Sequence, residues 1–379
     1  MTRTLNNLAA ATMVLPVYGS TATETTDEQA AANRSIYGVA TPAEVISKHR
    51  PAGLVFVERI PFHEGFSNVD LGMLGDSERF RNFVESVQEV ARIEELEPLL
   101  IVADQEGGAV SRIPVSALPA PAVIGRTGSD AVARRAGELT SRAARAHGVG
   151  VVLGPLADLG LGNAAIGDRA FAPNPEVVSR LAAAWLRGVQ EHGSQKHGVR
   201  AVAKHWPGHG RVTADSHVST PSLDIEAGVW RAEERMPFDA AVTAGVAGVL
   251  VAHMRAPTLD PTNRIATQST AIIDELRNGL GFSGLVMSDA LWMPSARTSA
   301  PNDAEVAIAA LNAGVDILLA PPDPAGISAL AKSNPGMRSR IEAAVERAST
   351  WRTTHVEVDR TIDVDELNSE IETFTRELS

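Results

Sequence analysis

Histidines, carboxylates and basic side chains gather in a few short stretches of this sequence. Asp104-Gln105-Glu106-Gly107-Gly108 is one, and Asp158, Asn163, Asp168 and Arg169 form a second. Lys204-His205-Trp206-Pro207-Gly208-His209-Gly210, with Asp215-Ser216-His217 close behind, is the third, and Ser288-Asp289 the fourth. His253 and Pro321-Pro322-Asp323 complete the set. Three chemistries compete for these residue types. His205, His209, Asp215, His217 and His253 could supply metal ligands, but Pro207 and Gly208 break any helix that would place His205 and His209 on one face, and no HExxH spacing occurs. A serine nucleophile calls for a GxSxG elbow, which is absent; Ser288 precedes an aspartate instead. The third chemistry is a carboxylate nucleophile, Asp289, with a His–Asp pair moving the proton. That arrangement suits glycosyl transfer to water through a covalent intermediate.

The elements that must position these groups are legible as apolar runs. MVLPVY (13–18), GLVFV (53–57), LLIVAD (99–104), GVVLGP (150–155), RAVAKH (200–205), GVLVAH (248–253), GLVMSD (284–289) and DILLAP (316–321) read as parallel strands buried on both faces. Helical patterns lie between them, opened by Thr41-Pro42, Asp76-Ser77-Glu78 and Asn174-Pro175-Glu176, and running over about 129–147, 224–244, 268–280, 303–313 and 337–352. Gly148, Gly193, Gly245 and Gly314 stand where helix C-caps belong. Eight strands alternating with helices predict an α/β chain, a (β/α)8 barrel over 1–354. A doubly wound sheet is the alternative, without a GxGxxG turn to support it. In a barrel the polar residues just beyond strand C-termini face the active site, and the clusters above fall there.

Composition sets the outer limits. The chain has 379 residues, 44 % hydrophobic and 21 % charged, as in a globular protein. Its 34 basic against 46 acidic residues, net −12, argue against a nucleic-acid partner. Without cysteine there is no disulfide, thiolate nucleophile or Cys-bound metal. No stretch reaches the roughly 18 apolar residues of a membrane-spanning helix. Residues 8–17 resemble a weak secretory h-region, but a short helix over 5–11 leading into the first strand is preferred, because removing it would leave seven strands. The expected location is therefore the cytoplasm, with secretion as the alternative. Residues 355–379 read as an acidic helical tail, and 58–76 as a long loop on the catalytic side.

The motifs DQEGGAVSRI (104–113), GDRAF (167–171), KHWPGHGRVTADSHVSTP (204–221) and LVMSDALWM (285–293) occur in an order that resembles glycoside hydrolase family 3 over about residues 99–325. More narrowly, they are similar to its single-barrel β-N-acetylglucosaminidases. The resemblance implies a retaining exo-hydrolase of terminal β-linked GlcNAc, acting on peptidoglycan-derived or related glycosides without metal or cofactor. It implies Asp289 as nucleophile, His217 as acid/base and Asp215 as the carboxylate that orients and polarises it, with Asp104, Arg169, Lys204 and His205 hydrogen-bonding the sugar and Arg112 in the same motif. A histidine whose ordinary pKa lies near 6.5 can give and recover a proton near neutrality, and an adjacent carboxylate fixes its tautomer.

Plainer readings stand beside these. Asp289 could cap a following helix, and Asp215-Ser216-His217 could be an Asx turn. His209 reads as a structural hydrogen-bonder, and His253 as either a core or a site residue. Lys204 could pair with Asp104; Trp206 could shape its loop, and Trp292 could form a sugar platform. His49, His147, His192 and His197 are expected to be solvated. Two departures from the family stand out. Glu58-Arg59-Ile60 replaces the usual arginine–asparagine turn, and there is no second α/β domain carrying a glutamate acid/base. Phosphorolysis, a β-glucosidase activity, a non-catalytic sugar-binding barrel and a metal-dependent amidohydrolase are the alternatives. The oligomeric state is left open.

Overall fold

The computed structural model describes residues 5–56, 76–163, 165–191, 198–212, 220–297, 302–353 and 355–378. Each apolar run becomes a strand: β1 (Met13–Leu15), β2 (Gly53–Phe56), β3 (Leu100–Gly107), β5 (Val151–Leu156), β6 (Arg200–Trp206), β7 (Gly248–Val251), β8 (Leu285–Ser288) and β9 (Leu318–Leu319). A short β4 (Val110–Ser111) folds back antiparallel on the end of β3. The parallel strands bond in the order β8-β7-β6-β5-β3-β2-β1-β9. Met287 opposite Ile317 bridges the remaining gap, with Ser288 N donating to Ile317 O (2.9 Å) and Leu319 N to Ser288 Oγ (3.0 Å). The sheet thus closes into the (β/α)8 barrel expected from the alternation.

Successive side chains in a strand point to opposite faces. Val14, Val55, Leu100, Val102, Val151, Leu153, Val202, Leu250, Leu285 and Met287 form one cluster, which fills the barrel. Their neighbours Met13, Leu15, Ile101, Ala103, Val152, Val249 and Val286 belong to the larger cluster shared with the helices. Extending the inner parity toward the strand C-termini carries Leu100 and Val102 on to Asp104 and Glu106, Val202 on to Lys204, and Leu285 and Met287 on to Asp289. Charged residues therefore continue the apolar interior of the barrel at its mouth. The opposite end holds a different arrangement: fully buried Asp316, ahead of β9, accepts from Arg277 Nη2 (2.5 Å), Arg347 Nη2 (2.8 Å), Arg340 Nη2 (3.2 Å) and Val286 N (3.0 Å).

Helices start largely where their caps predict. Thr41 and Asp76 accept from Glu44 N (3.2 Å) and Arg79 N (3.0 Å), and Gly148, Gly245 and Gly314 have φ of 69°, 80° and 121°. Gly193 lies outside the described residues. Two expected helices differ. The 224–244 pattern is split into Ala227–Ala232 and Met236–Thr243, because Pro237 lacks the N–H that a continuous helix needs. The 268–280 pattern ends in a wider turn over Glu275–Gly279, in which Leu280 N reaches back five residues to Glu275 O (3.1 Å). Helix Val364–Glu377, within the acidic tail, buries Leu367 and Ile371 and packs on helix Asp130–Ala146, where Glu370 pairs with Arg135 and Arg142. It also holds the segment after β4: Asn368 Oδ1 accepts from Ser116 N (2.7 Å), and Thr375 Oγ1 donates to Ala117 O (3.1 Å).

Candidate active site

The inward parity of β3 and β6 brings three charges together, and Arg169, from the Gly167–Arg169 turn after β5, adds a fourth. Lys204 Nζ lies 2.6 Å from Asp104 Oδ1 and 2.5 Å from Glu106 Oε1. Arg169 grips Glu106 with both arms, Nε to Oε2 and Nη2 to Oε1, each at 2.8 Å. Lys204 and Glu106 are buried, whereas the Asp104 side chain keeps 26 % exposure. Burial alone would raise the Glu106 pKa, but Lys204 and Arg169 overcome it and hold it at about 2. Burial likewise works against the Lys204 charge, and Asp104 and Glu106 reverse the sign, raising its pKa. The cluster is charge-balanced, with its exposed edge on Asp104.

Gln105 explains how Arg112 comes to this place. Its buried Oε1 accepts from Arg112 N (2.9 Å) and Ile113 N (3.0 Å), and Arg112 N also donates to Asp104 O (2.9 Å). The Arg112 guanidinium, half-buried, reaches Ala109 O (3.3 Å) and Ser111 O (3.2 Å). Asp289 closes β8, where its N donates to Val251 O (2.9 Å) and its Oδ1 accepts from Ala290 N (2.8 Å). That short contact holds the carboxylate at the mouth; no helix follows directly for it to cap.

His205 is nearly buried, and its Nδ1 lies 2.6 Å from Oδ2 of fully buried Asp158. Asp158 also accepts from His209 N (2.6 Å). His209 is a structural hydrogen-bonder, as expected, contacting Asn163 through Nδ1 (3.0 Å) and O (2.9 Å). Burial lowers the His209 pKa and His205 adds to that, while Asp158 and Asp289 act in the other direction, which places the Asp289 carboxylate within electrostatic reach. His253 is a core residue, with Nδ1 at 2.9 Å from Thr267 Oγ1 and Nε2 at 3.1 Å from Ala290 O.

The remaining expectations divide. Asp215 and His217 lie outside the described residues, as do His192, His197 and the 58–76 loop up to residue 75. Trp206 shapes its loop: it is buried, donates from Nε1 to Ile272 O (3.0 Å) and meets Trp230 and Phe238 edge-on. Trp292 lines a cavity of about 260 Å³ with Pro16, Ile36, Tyr37 and Pro321, beyond the ends of β1 and β9. His49 and His147 are not solvated. Both are buried, His49 Nε2 at 3.4 Å from Tyr37 O and His147 between Ser77 Oγ (2.7 Å) and Ala143 O (2.8 Å). Burial holds the His147 pKa at about 4, so it stays neutral. Asp323 caps helix Pro324–Ser333 through Gly326 N (2.8 Å), and Asp168 is exposed.

Sequence reading assigned no role to Glu106, Asp158 or Glu234. Glu106 was within reach, two residues beyond Asp104 on the same strand face. Glu234 sits in the break between the two helices around Pro237, fully buried, with Oε1 accepting from Arg211 Nε (3.2 Å). Its Oε2 abuts Gly208, where a Cβ would come within 2.7 Å of it and where φ is +118°. Burial, reinforced by Asp158, pushes its pKa up to about 7. Trp230 Nε1, in the helix Ala227–Ala232 just before that break, donates to Pro207 O (3.0 Å), so the Pro207–Gly210 turn rests on this region. Among the described residues, no group of three or more His, Cys, Asp or Glu is arranged to hold a metal ion, and no helix is long and apolar enough to cross a membrane.

Comparisons with known proteins agree with the geometry. The model of the glycosyl hydrolase family 3 N terminal domain matches residues 42–350. A β-hexosaminidase of Stenotrophomonas maltophilia (strain K279a) is 37 % identical over 230 residues, which cover 59 % of this chain and 67 % of the relative. The structure of a family 3 β-N-acetylglucosaminidase from Paenibacillus sp. str. FPU-7 superposes with a TM-score of 0.81 at 24 % identity, covering 98 % of this chain and 68 % of that one. A family 3 glycosyl hydrolase from Mycobacterium smegmatis superposes with a TM-score of 0.70 at 26 % identity, covering 91 % and 96 %.

Proposed function

Because the chain belongs to glycosyl hydrolase family 3, we propose that it is a retaining exo-β-N-acetylglucosaminidase that removes terminal β-linked GlcNAc from peptidoglycan-derived or related glycosides. It is a glycoside hydrolase with a carbohydrate substrate. The observation that carries the finer reading is the charge-balanced cluster at the barrel mouth. Asp104, with its exposed edge, is placed to accept from sugar hydroxyls, and Lys204 and Arg169 hold it and Glu106 in position. Similarity to a β-hexosaminidase supports the N-acetyl sugar.

The Asp289 carboxylate attacks the anomeric carbon as the bond to the leaving oxygen breaks, and a glycosyl-aspartate ester forms. His217, polarised by Asp215, gives its proton to that oxygen. It then takes one from the water that cleaves the ester, which releases the sugar with its configuration retained and restores Asp289. Matched 4-nitrophenyl β-glycosides test this reading, N-acetylglucosaminide against glucoside, with and without phosphate. Faster turnover of the N-acetyl sugar, unchanged by phosphate, is expected. Preference for the glucoside, or phosphate stimulation with a sugar phosphate as product, would overturn it.

A further inference from the structure

His205 and His209 lie four residues apart with ring centroids 6.0 Å from each other, and their surroundings fix them in opposite protonation patterns. Asp158 Oδ2 takes His205 N (3.1 Å) and contacts His205 Nδ1 (2.6 Å), while Oδ1 takes His209 N (2.6 Å). Burial would raise the Asp158 pKa, but the neighbouring histidines and these donors hold it below the usual carboxylate range. An ionised carboxylate only accepts, so His205 Nδ1 carries the hydrogen. When that ring is neutral, its Nε2 keeps a bare lone pair. His209 is set the other way. Asn163 Oδ1 accepts from Ala165 N (2.8 Å) and Nδ2 donates to His209 O (2.9 Å), so the second Nδ2 hydrogen points at His209 Nδ1 (3.0 Å). A neutral His209 therefore has its hydrogen on Nε2.

We propose that Asp158 is a positioning residue that presents His205 Nε2 as a hydrogen-bond acceptor, so that the site selects a sugar carrying a free hydroxyl at the position His205 meets. This rests on the reading above that His205 contacts the sugar. Lys204 and Arg169 can only donate, and Glu106 is buried between them, so on that side Asp104 alone keeps an open carboxylate edge. An imidazole acceptor at His205 adds a second, separately placed acceptor beside it. With the opposite tautomer His205 would offer a donor, and a fluorine or ether oxygen would serve it as a partner. A site built to receive a hydroxyl hydrogen rejects the analogue that lacks it, because the buried acceptor is then left unpaired.

The tautomer is read directly, without substrate, by long-range ¹H–¹⁵N correlation of histidine-labelled protein, with the pH raised until the His205 ring signals no longer change. The signal missing in His205→Gln identifies the residue. The hydrogen is expected on Nδ1; finding it on Nε2 would overturn the proposal. The kinetic arm uses aryl N-acetylglucosaminides with the 3-, 4- or 6-hydroxyl replaced in turn by fluorine. Wild type should lose about tenfold or more in kcat/KM at the position His205 meets, the size of one hydroxyl-to-acceptor contact, besides the losses at hydroxyls that Asp104 accepts from; the His205 position is the one whose loss depends on Asp158. Asp158→Asn, checked for folding by its melting temperature, should narrow that ratio to about twofold. An undiminished ratio in folded Asp158→Asn, or no loss at any position in wild type, overturns the proposal; if the variant does not fold, the two wild-type measurements decide. Failure to turn over any N-acetylglucosaminide would strike the substrate reading and leave the tautomer standing, and the fluorine series would move to the glycoside that is hydrolysed.

Discussion

Each end of the barrel buries an ionic cluster, and the two are built to opposite proportions. At the base a single carboxylate, Asp316, is met by three guanidinium groups, those of Arg277, Arg340 and Arg347, and has no exposed surface. At the mouth two carboxylates, Asp104 and Glu106, share two cations, Lys204 and Arg169, and Asp104 still reaches solvent. The first arrangement saturates its acceptor and can only brace the strands and helices around it. The second is balanced but not closed, and so can exchange a protein contact for a ligand hydroxyl. Both lie at strand ends in the same sheet, so burial of charge does not by itself mark a site. What distinguishes the mouth is the acceptor surface left open, at the end of the barrel where such folds carry their chemistry.

Substitutions at the two ends should therefore fail in different ways. The largest effect is expected from Asp289→Ala, which should reduce turnover by roughly a thousandfold or more with the melting temperature unchanged; near-normal turnover would end the nucleophile assignment. Next comes Asp316→Ala, which leaves three arginines facing an empty buried position. It should cost about 3–5 kcal/mol of stability by denaturant titration, with kcat per folded molecule unchanged. A clear drop in kcat would make the base part of the catalytic apparatus. Glu106→Gln should affect both properties to a smaller degree, lowering kcat/KM about tenfold or more by loosening Lys204 and Arg169. It also has a pH signature. The folded-state pKa of Glu106, about 2, lies below the unfolded value near 4.3, so its contribution is present above that value and is lost as pH falls toward 2. It amounts to about 3 kcal/mol at neutral pH. Wild type should thus lose part of its advantage over Glu106→Gln between about pH 4.5 and pH 2; parallel stability curves would contradict the assigned pairing.

Local pattern carried the fold and part of the mouth. The apolar runs located all eight barrel strands, and placing polar residues beyond strand ends singled out Asp104, Lys204 and Asp289, which the structure puts on the inner face of the mouth. It was less informative wherever a residue's role depends on a partner distant in sequence. Glu106 differs from any strand-end glutamate through partners far along the chain, Arg169 63 residues away and Lys204, and Asp158 through His205, 47 residues away, and His209. His49 and His147 looked solvated because helix ends usually are, yet tertiary packing covers both. The split at Pro237 was visible as a residue, but its consequence, a buried Glu234 under Gly208, required the fold of the following turn.

The helix Val364–Glu377 gives the chain a particular order of assembly. Its contacts at Ser116 and Ala117 join positions more than 250 residues apart, and ordering a connection that long is entropically dearer than closing any neighbouring βα unit. On a ribosome the segment following β4, which begins at Arg112, is synthesised more than 250 residues before its last supports and must wait for them. Nascent chains that have not yet produced Asn368 and Thr375 therefore carry the barrel strands without the strap beside Arg112, so this stretch of the mouth is among the last to gain its native contacts.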